Sequence, residues 1–164
     1  NVARQSQGSV LACTVQGDIH DIGKRIVCTM LSANGFSVVD LGVNVKIDRF
    51  VAEVKTRKPD IVAMSALLTT TAPNQGKVIK LLQKEGIRDQ YIVMVGGAPT
   101  SLQWSRDIGA DGYGENATEA VRIAKELMAK KRSRPAPQPG ATAPVSALGD
   151  ASGSPVAAAR ATAD

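Results

Sequence analysis

The chain has 164 residues, 43% of them hydrophobic and only 3% aromatic, enough for one domain with an aliphatic core. No apolar run approaches the roughly 18 residues that a membrane-spanning helix needs and no signal peptide is visible, so a cytoplasmic protein without a membrane partner is expected. The net charge of +5 gathers in the last stretch, where Lys130, Lys131, Arg132, Arg134 and Arg160 face only Asp150 and Asp164; the remainder carries 15 basic against 13 acidic residues, which argues against nucleic acid as a partner.

Residues 1–8 read as a lead-in. Strand and helix patterns then alternate. A first strand over 9–15 is followed by a helix from about Ile22 to Ala33 that stops at Asn34-Gly35. A second strand covers 37–41 and ends at Gly42. Asp48 is expected to cap the next helix, which runs to about Arg57 and stops before Lys58-Pro59. The third strand, 60–66, is a nearly continuous apolar run, the pattern of a parallel strand covered on both faces. A helix over 72–84 stops at Glu85-Gly86, and a fourth strand over 91–95 ends in Gly96-Gly97. A short helix over 101–108, a brief strand over 111–113 and a last helix over 117–131 complete the body.

The pattern predicts an α/β fold, a Rossmann/flavodoxin-like five-stranded parallel sheet with helices on both faces, over residues 9–131. Right-handed crossovers bring the C-terminal ends of the strands to one edge, where a ligand should lie. Residues 132–164 are dominated by Ala, Pro, Gly and Ser and are expected to form a disordered tail. Cys13 and Cys28 read as small core residues in a reducing setting rather than as a disulfide.

Asp18-Ile19-His20-Asp21-Ile22-Gly23 holds the only histidine of the chain, at the first strand–helix junction. A lone histidine is ordinarily a satisfied surface or core residue. Its setting here favours a metal ligand: imidazole suits a metal such as cobalt, and Asp18 can take the proton of the other ring nitrogen. A zinc site needs further His or Cys ligands, and only the separated Cys13 and Cys28 exist. The metal must therefore bring most of its own coordination. At the other strand ends, Ser65-Ala66-Leu67-Leu68-Thr69-Thr70-Thr71 and Gly96-Gly97 each read alone as a helix cap and a turn. Together they place hydroxyls and bare backbone beside the His20 loop, room for a long flat group. Trp104 reads as a packing residue or a contact to that group. Lys24 and Arg25 open a helix at the end where cations oppose the dipole, so each is expected to meet ligand amides, an acidic partner or solvent.

Asp18-x-His20-x-x-Gly23, Ser65-x-Leu67 and Gly96-Gly97 agree in order and spacing with the cobalamin-binding domains of corrinoid-dependent methyltransferases. Over residues 9–130 the chain resembles the corrinoid proteins of methylotrophic systems and the cobalamin domain of methionine synthase. The resemblance implies cobalamin as cofactor (as methylcobalamin and cob(I)alamin), with His20 as the lower axial ligand of cobalt and Asp18 as its hydrogen-bond partner. It implies that Ile19, Asp21 and Ile22 complete the binding loop, and that Ser65 and Thr69 contact the buried dimethylbenzimidazole base beside Leu67. Thr71 completes a His–Asp–hydroxyl relay where methionine synthase has serine. Gly23, Leu41, Gly42, Gly96 and Gly97 line the tail channel, with Gly114 and Glu115 near the tail.

The function implied is that of a methyl carrier working between a methyltransferase on the donor side and another on the acceptor side, with a reductive activation protein as a further partner. It is a component of an enzyme system rather than a free-standing catalyst. The competing readings are the cobalamin-binding subunit of a radical mutase, a cobalamin-dependent sensor, and a flavodoxin-like module without a corrinoid. Members of the family carry a helical cap before this domain. Since about eight residues precede the first strand here, and the first is not Met, the cap is expected either upstream of this sequence or on another chain. Nothing in the sequence names the methyl donor.

Overall fold

A computed structural model of the protein describes residues 5–135. Its strands are β1 (Gly8–Thr14), β2 (Phe36–Asp40), β3 (Ile61–Ser65), β4 (Ile92–Gly96) and β5 (Gly112–Tyr113). Its helices are α1 (Ile22–Ala33), α2 (Ile47–Arg57), α3 (Pro73–Lys84), α4 (Leu102–Asp107) and α5 (Ala117–Ser133). The strands form one parallel sheet in the order β2-β1-β3-β4-β5, the expected α/β architecture.

Side chains alternate across each strand, so every central strand feeds two cores. Leu11, Cys13, Val62, Met64, Val93 and Val95 pack with Phe50, Val54, Ile79 and Leu82 of α2 and α3, and Trp104 of α4 joins them. Val10, Ile61, Ile92 and Met94 pack with Leu31 of α1 and Ala120, Val121, Ala124 and Met128 of α5. The aliphatic core expected from the scarcity of aromatics is this double layer.

The differences from the sequence reading have local causes. The strands open one residue away from the expected starts; β2 begins at Phe36 because Gly35 turns the chain at φ +92° and the buried Phe36 pairs with Gly8. Asp48 does not cap α2. The helix begins two residues earlier, at Ile47, whose N–H is satisfied by Gln16 Oε1 at 3.2 Å, and Asp48 sits in the first turn, where its charge still suits the helix dipole. A 3₁₀ turn at Arg88–Gln90 went unforeseen. The last helix runs to Ser133, two residues beyond its expected end, and there Arg132 donates to the carbonyls of Ser6 and Gln7. The expected tail from 136 onward and residues 1–4 of the lead-in lie outside the described residues.

Candidate functional site

In the sheet, β1 lies beside β3, and from these two neighbours the chain departs in opposite directions, to β2 at one edge and to β4 and β5 at the other. At such a switch point the loops leaving adjacent strands diverge and open a crevice. One carboxylate ties the two loops together. Asp18 Oδ1 accepts from the backbone N–H of His20 (3.0 Å) and meets His20 Nδ1 at 2.8 Å. Asp18 Oδ2 accepts from Leu67 N–H (2.8 Å), Leu68 N–H (3.3 Å) and the Thr71 hydroxyl (2.6 Å).

Asp18 is fully buried. Burial alone would push its carboxyl pKa up, but the hydrogen bonds from Thr71, His20 and Leu67 outweigh it and hold the group well below the usual carboxylate range. An ionised Asp18 can only accept, so the ring proton of His20 sits on Nδ1 and the lone pair of Nε2 is left free. The imidazole is 45% exposed. It is a nitrogen donor with fixed tautomer, held by one edge and open on the other.

Beside it a cavity of about 740 Å³ runs between the sheet, α1 and α5. Its depth follows from the strand register. The rung Val10–Ile61–Ile92 is bulky, the next is Ala12–Ala63–Met94, and the last is Thr14–Ser65–Gly96, so the side chains shrink toward the C-terminal edge. Gly23, Ile26 and Val27 of α1 and Ala117, Ala120 and Ala124 of α5 form the walls. A Cβ built on Gly23 meets nothing within 4 Å. At Gly97, φ +124°, a Cβ would lie 1.6 Å from the carbonyl oxygen of Ala66, so only glycine lets the β4 loop lie against the end of β3. Around His20 the rim is apolar and uncovered: Ile19 is 72% exposed, Ile22 77%, Leu67 42% and Leu68 41%. An uncovered apolar rim with one nitrogen donor, over a deep cavity with small walls, fits a wide ring carrying a metal and a long arm. Among the described residues, no group of three or more His, Cys, Asp and Glu could hold a bare metal ion.

Most of the candidates from the sequence meet here. Ile19, His20, Asp21, Ile22, Gly23, Ser65, Leu67, Gly96, Gly97, Gly114 and Glu115 line the cavity, while Asp18 and Thr71 stand behind His20. Three do not line it. Leu41 packs into the core on the other face of the sheet. Gly42 is not in the wall, and its carbonyl instead accepts from Lys24 Nζ at 2.8 Å. Thr69 is exposed outside the cavity, because the chain turns toward α3 before reaching it. Trp104 is a packing residue: its indole N–H donates to the buried Gln75 at 2.9 Å. Cys13 and Cys28 are free thiols; Cys28 lines the cavity, and burial pushes its pKa up to about 11. The sequence reading missed Ala63, Met94, Ala120 and Ala124, whose small or flexible side chains create the cavity. The signal was there as alanines at core-facing positions of a strand and a helix, but alanine carries no chemistry to mark it.

The B12 binding domain family model matches residues 8–122. The chain belongs to this family. Cobalamin, with its cobalt, is the cofactor of this domain. The B12-binding domain is 51% identical over 127 residues to the dimethylamine corrinoid protein 3 of Methanosarcina mazei, covering 77% of this chain and 76% of that protein. It superposes on the monomethylamine corrinoid protein of Methanosarcina barkeri with a TM-score of 0.69 and 44% identity, over 73% of this chain and 57% of that one. It matches the methanol:cobalamin methyltransferase complex MtaBC of the same organism with a TM-score of 0.71 and 35% identity, over 79% of this chain and 49% of that one. The chain thus spans only about half the length of these two solved proteins. No helix among the described residues is long and apolar enough to cross a membrane.

Proposed function

We propose that this B12-binding domain is the corrinoid component of a methylamine-type methyltransferase system, with His20 as the protein ligand of cobalt. The observation that carries the proposal is the buried Asp18, which fixes the His20 tautomer on one side and takes the Thr71 hydroxyl on the other. When bound, cobalamin supplies a cobalt centre able to accept a methyl group and release it.

The chain's own residues do the rest. His20 Nε2 offers its lone pair, and Asp18 holds the ring in place by accepting the hydrogen bond from Nδ1–H. Thr71 donates to the same carboxylate and steadies its charge. A nitrogen that binds metal carries no proton, so with Nδ1–H given to Asp18 it is Nε2 that would hold the metal. The cavity between α1 and α5 receives the nucleotide arm, with Ser65 offering a hydroxyl at its mouth, and the walls of Ala, Gly and Ile keep water from it. Methyltransferases on the donor and acceptor sides are the partners.

The test is to load the protein with cobalamin, reduce it, and offer labelled mono-, di- and trimethylamine together with the cognate methyltransferase of each. Transfer of label to the protein-bound fraction from one of them, greatly reduced in His20→Ala, is expected. Label that never reaches the loaded protein with any amine would overturn the methylamine reading.

A further inference from the structure

We propose that the loop joining β2 to α2 is a clamp that holds the His20 loop at both of its ends, with Lys24 and Asn44 as positioning residues. The proposal rests on the reading of His20 as the cobalt ligand, and none of Leu41, Gly42, Val43 and Asn44 lines the cavity.

At the far end of the His20 loop the grip is Lys24. It lies in the first turn of α1, where the helix dipole disfavours a cation, and it is only 6% exposed. A buried ammonium is tolerated only when its hydrogen bonds are met. Lys24 Nζ donates to Asp40 Oδ1 at 2.6 Å and to the Gly42 carbonyl at 2.8 Å. Asp40 Oδ1 also accepts from Gly42 N–H at 2.9 Å, which closes the bracket around the end of β2. The ammonium, though it also lines the cavity, fastens the first turn of α1, with Gly23 in it, to the neighbouring strand.

At the near end the grip is Asn44. Its φ of +49° is uncommon for a residue with a side chain. In that conformation its backbone N–H donates to the Asp18 carbonyl at 2.8 Å, while its side-chain oxygen accepts from Gly17 N–H, also at 2.8 Å. Between the two grips lie only Ile19 to Gly23. A third bond from below, Thr14 Oγ1 to the His20 carbonyl at 3.0 Å, completes the restraint. A ligand that must reach cobalt from a loop benefits from being held in place before the cofactor arrives, because ordering it on binding would cost affinity.

Three variants test the clamp: Lys24→Met, Asn44→Gly (which keeps the left-handed backbone but loses the side-chain bond) and the double variant Lys24→Met/Asp40→Leu, which removes both charges. Hydrogen exchange of the His20 and Arg25 amides is followed in the cofactor-free protein. Nitrogen-15 splitting in the EPR spectrum of the cobalt(II) cobalamin-loaded protein reports the fraction ligated by His20. Exchange about tenfold faster in the single variants, the worth of one lost hydrogen bond of this kind, with a lower His20-ligated fraction, is expected. The double variant should keep the fast exchange and the low ligated fraction, because the bracket around the end of β2 is lost with Asp40 as well as with Lys24. Wild-type exchange rates in Lys24→Met and Asn44→Gly would overturn the clamp, as would recovery of exchange and ligation in the double variant. Absence of nitrogen-15 splitting in the wild type would instead strike the His20 reading, leaving the exchange data to decide the clamp alone.

Discussion

Replacing Gly23 by alanine separates what the fold needs from what the cofactor needs. Gly23 is the second residue of α1 and has no positive φ, and the added methyl would meet no protein atom within 4 Å. Alanine should therefore stabilise the cofactor-free protein, by about 0.5 to 1 kcal/mol, because glycine loses more backbone entropy in a helix. The same methyl would lie in the lining of the cavity proposed to receive the cobalamin arm. Crowding a close contact by one methyl costs about 1 to 3 kcal/mol, which weakens the dissociation constant roughly 5- to 150-fold. Urea unfolding of the cofactor-free protein measures the first effect and absorbance titration with hydroxocobalamin the second. Opposite signs are expected. Unchanged cobalamin affinity would refute the placement of Gly23 against the cofactor, and a parallel loss of stability would mean that the methyl collides within the protein itself.

Other outcomes follow from the same geometry. Gly97→Ala cannot keep the present backbone, since its Cβ would fall on the Ala66 carbonyl, and urea unfolding should show a loss of about 3 kcal/mol or more. Ala63→Leu fills the cavity floor; it should leave unfolding free energy within about 1.5 kcal/mol of wild type yet lower cobalamin affinity by about tenfold or more in the same titration. Asp18 has a folded pKa below its unfolded value of about 3.9, so its stabilisation is complete above that pH and is lost as pH falls through the lower folded pKa. Unfolding free energy measured from neutral pH downward should drop below about pH 4 in the wild type. Asp18→Asn should begin lower, by about 2 kcal/mol, because an amide cannot accept all the bonds that converge there, and its acid limb should be shallower. Equal acid limbs would contradict the ionised, buried Asp18.

The sequence was most legible where chemistry and period coincide. Hydrophobic runs bounded by Gly, Pro and Asn located the five strands and five α-helices of the described residues, because a parallel sheet buried on both faces leaves continuous apolar segments. Asp18, His20 and Thr71 were readable as a set only through the family motif; spacing alone does not bring residue 71 to residue 18, and it is the strand order β2-β1-β3 that does so. Leu41 and Gly42 were expected in the channel because the family resemblance implies it, but β2 is an edge strand and its end lies outside the cavity. Lys24 looked solvated or ligand-facing because its partner, Asp40, is 16 residues away and becomes a neighbour only when β2 pairs with β1. The cavity was legible only in part: Gly23, Gly96 and Gly97 marked room beside His20, but the missing side-chain volume at Ala63 and Ala124 left no signal of its own.

The central claim is that a nitrogen of this chain binds cobalt. Protein grown on nitrogen-15 and loaded with unlabelled cobalt(II) cobalamin gives the direct measurement, an EPR spectrum set beside that of unlabelled protein. With His20 as the chain's only histidine, the account predicts that triplet nitrogen splitting becomes doublet on labelling, and that His20→Ala loses the doublets. Triplets that persist in the labelled protein would mean that the cofactor keeps its own base on cobalt, and would contradict the account.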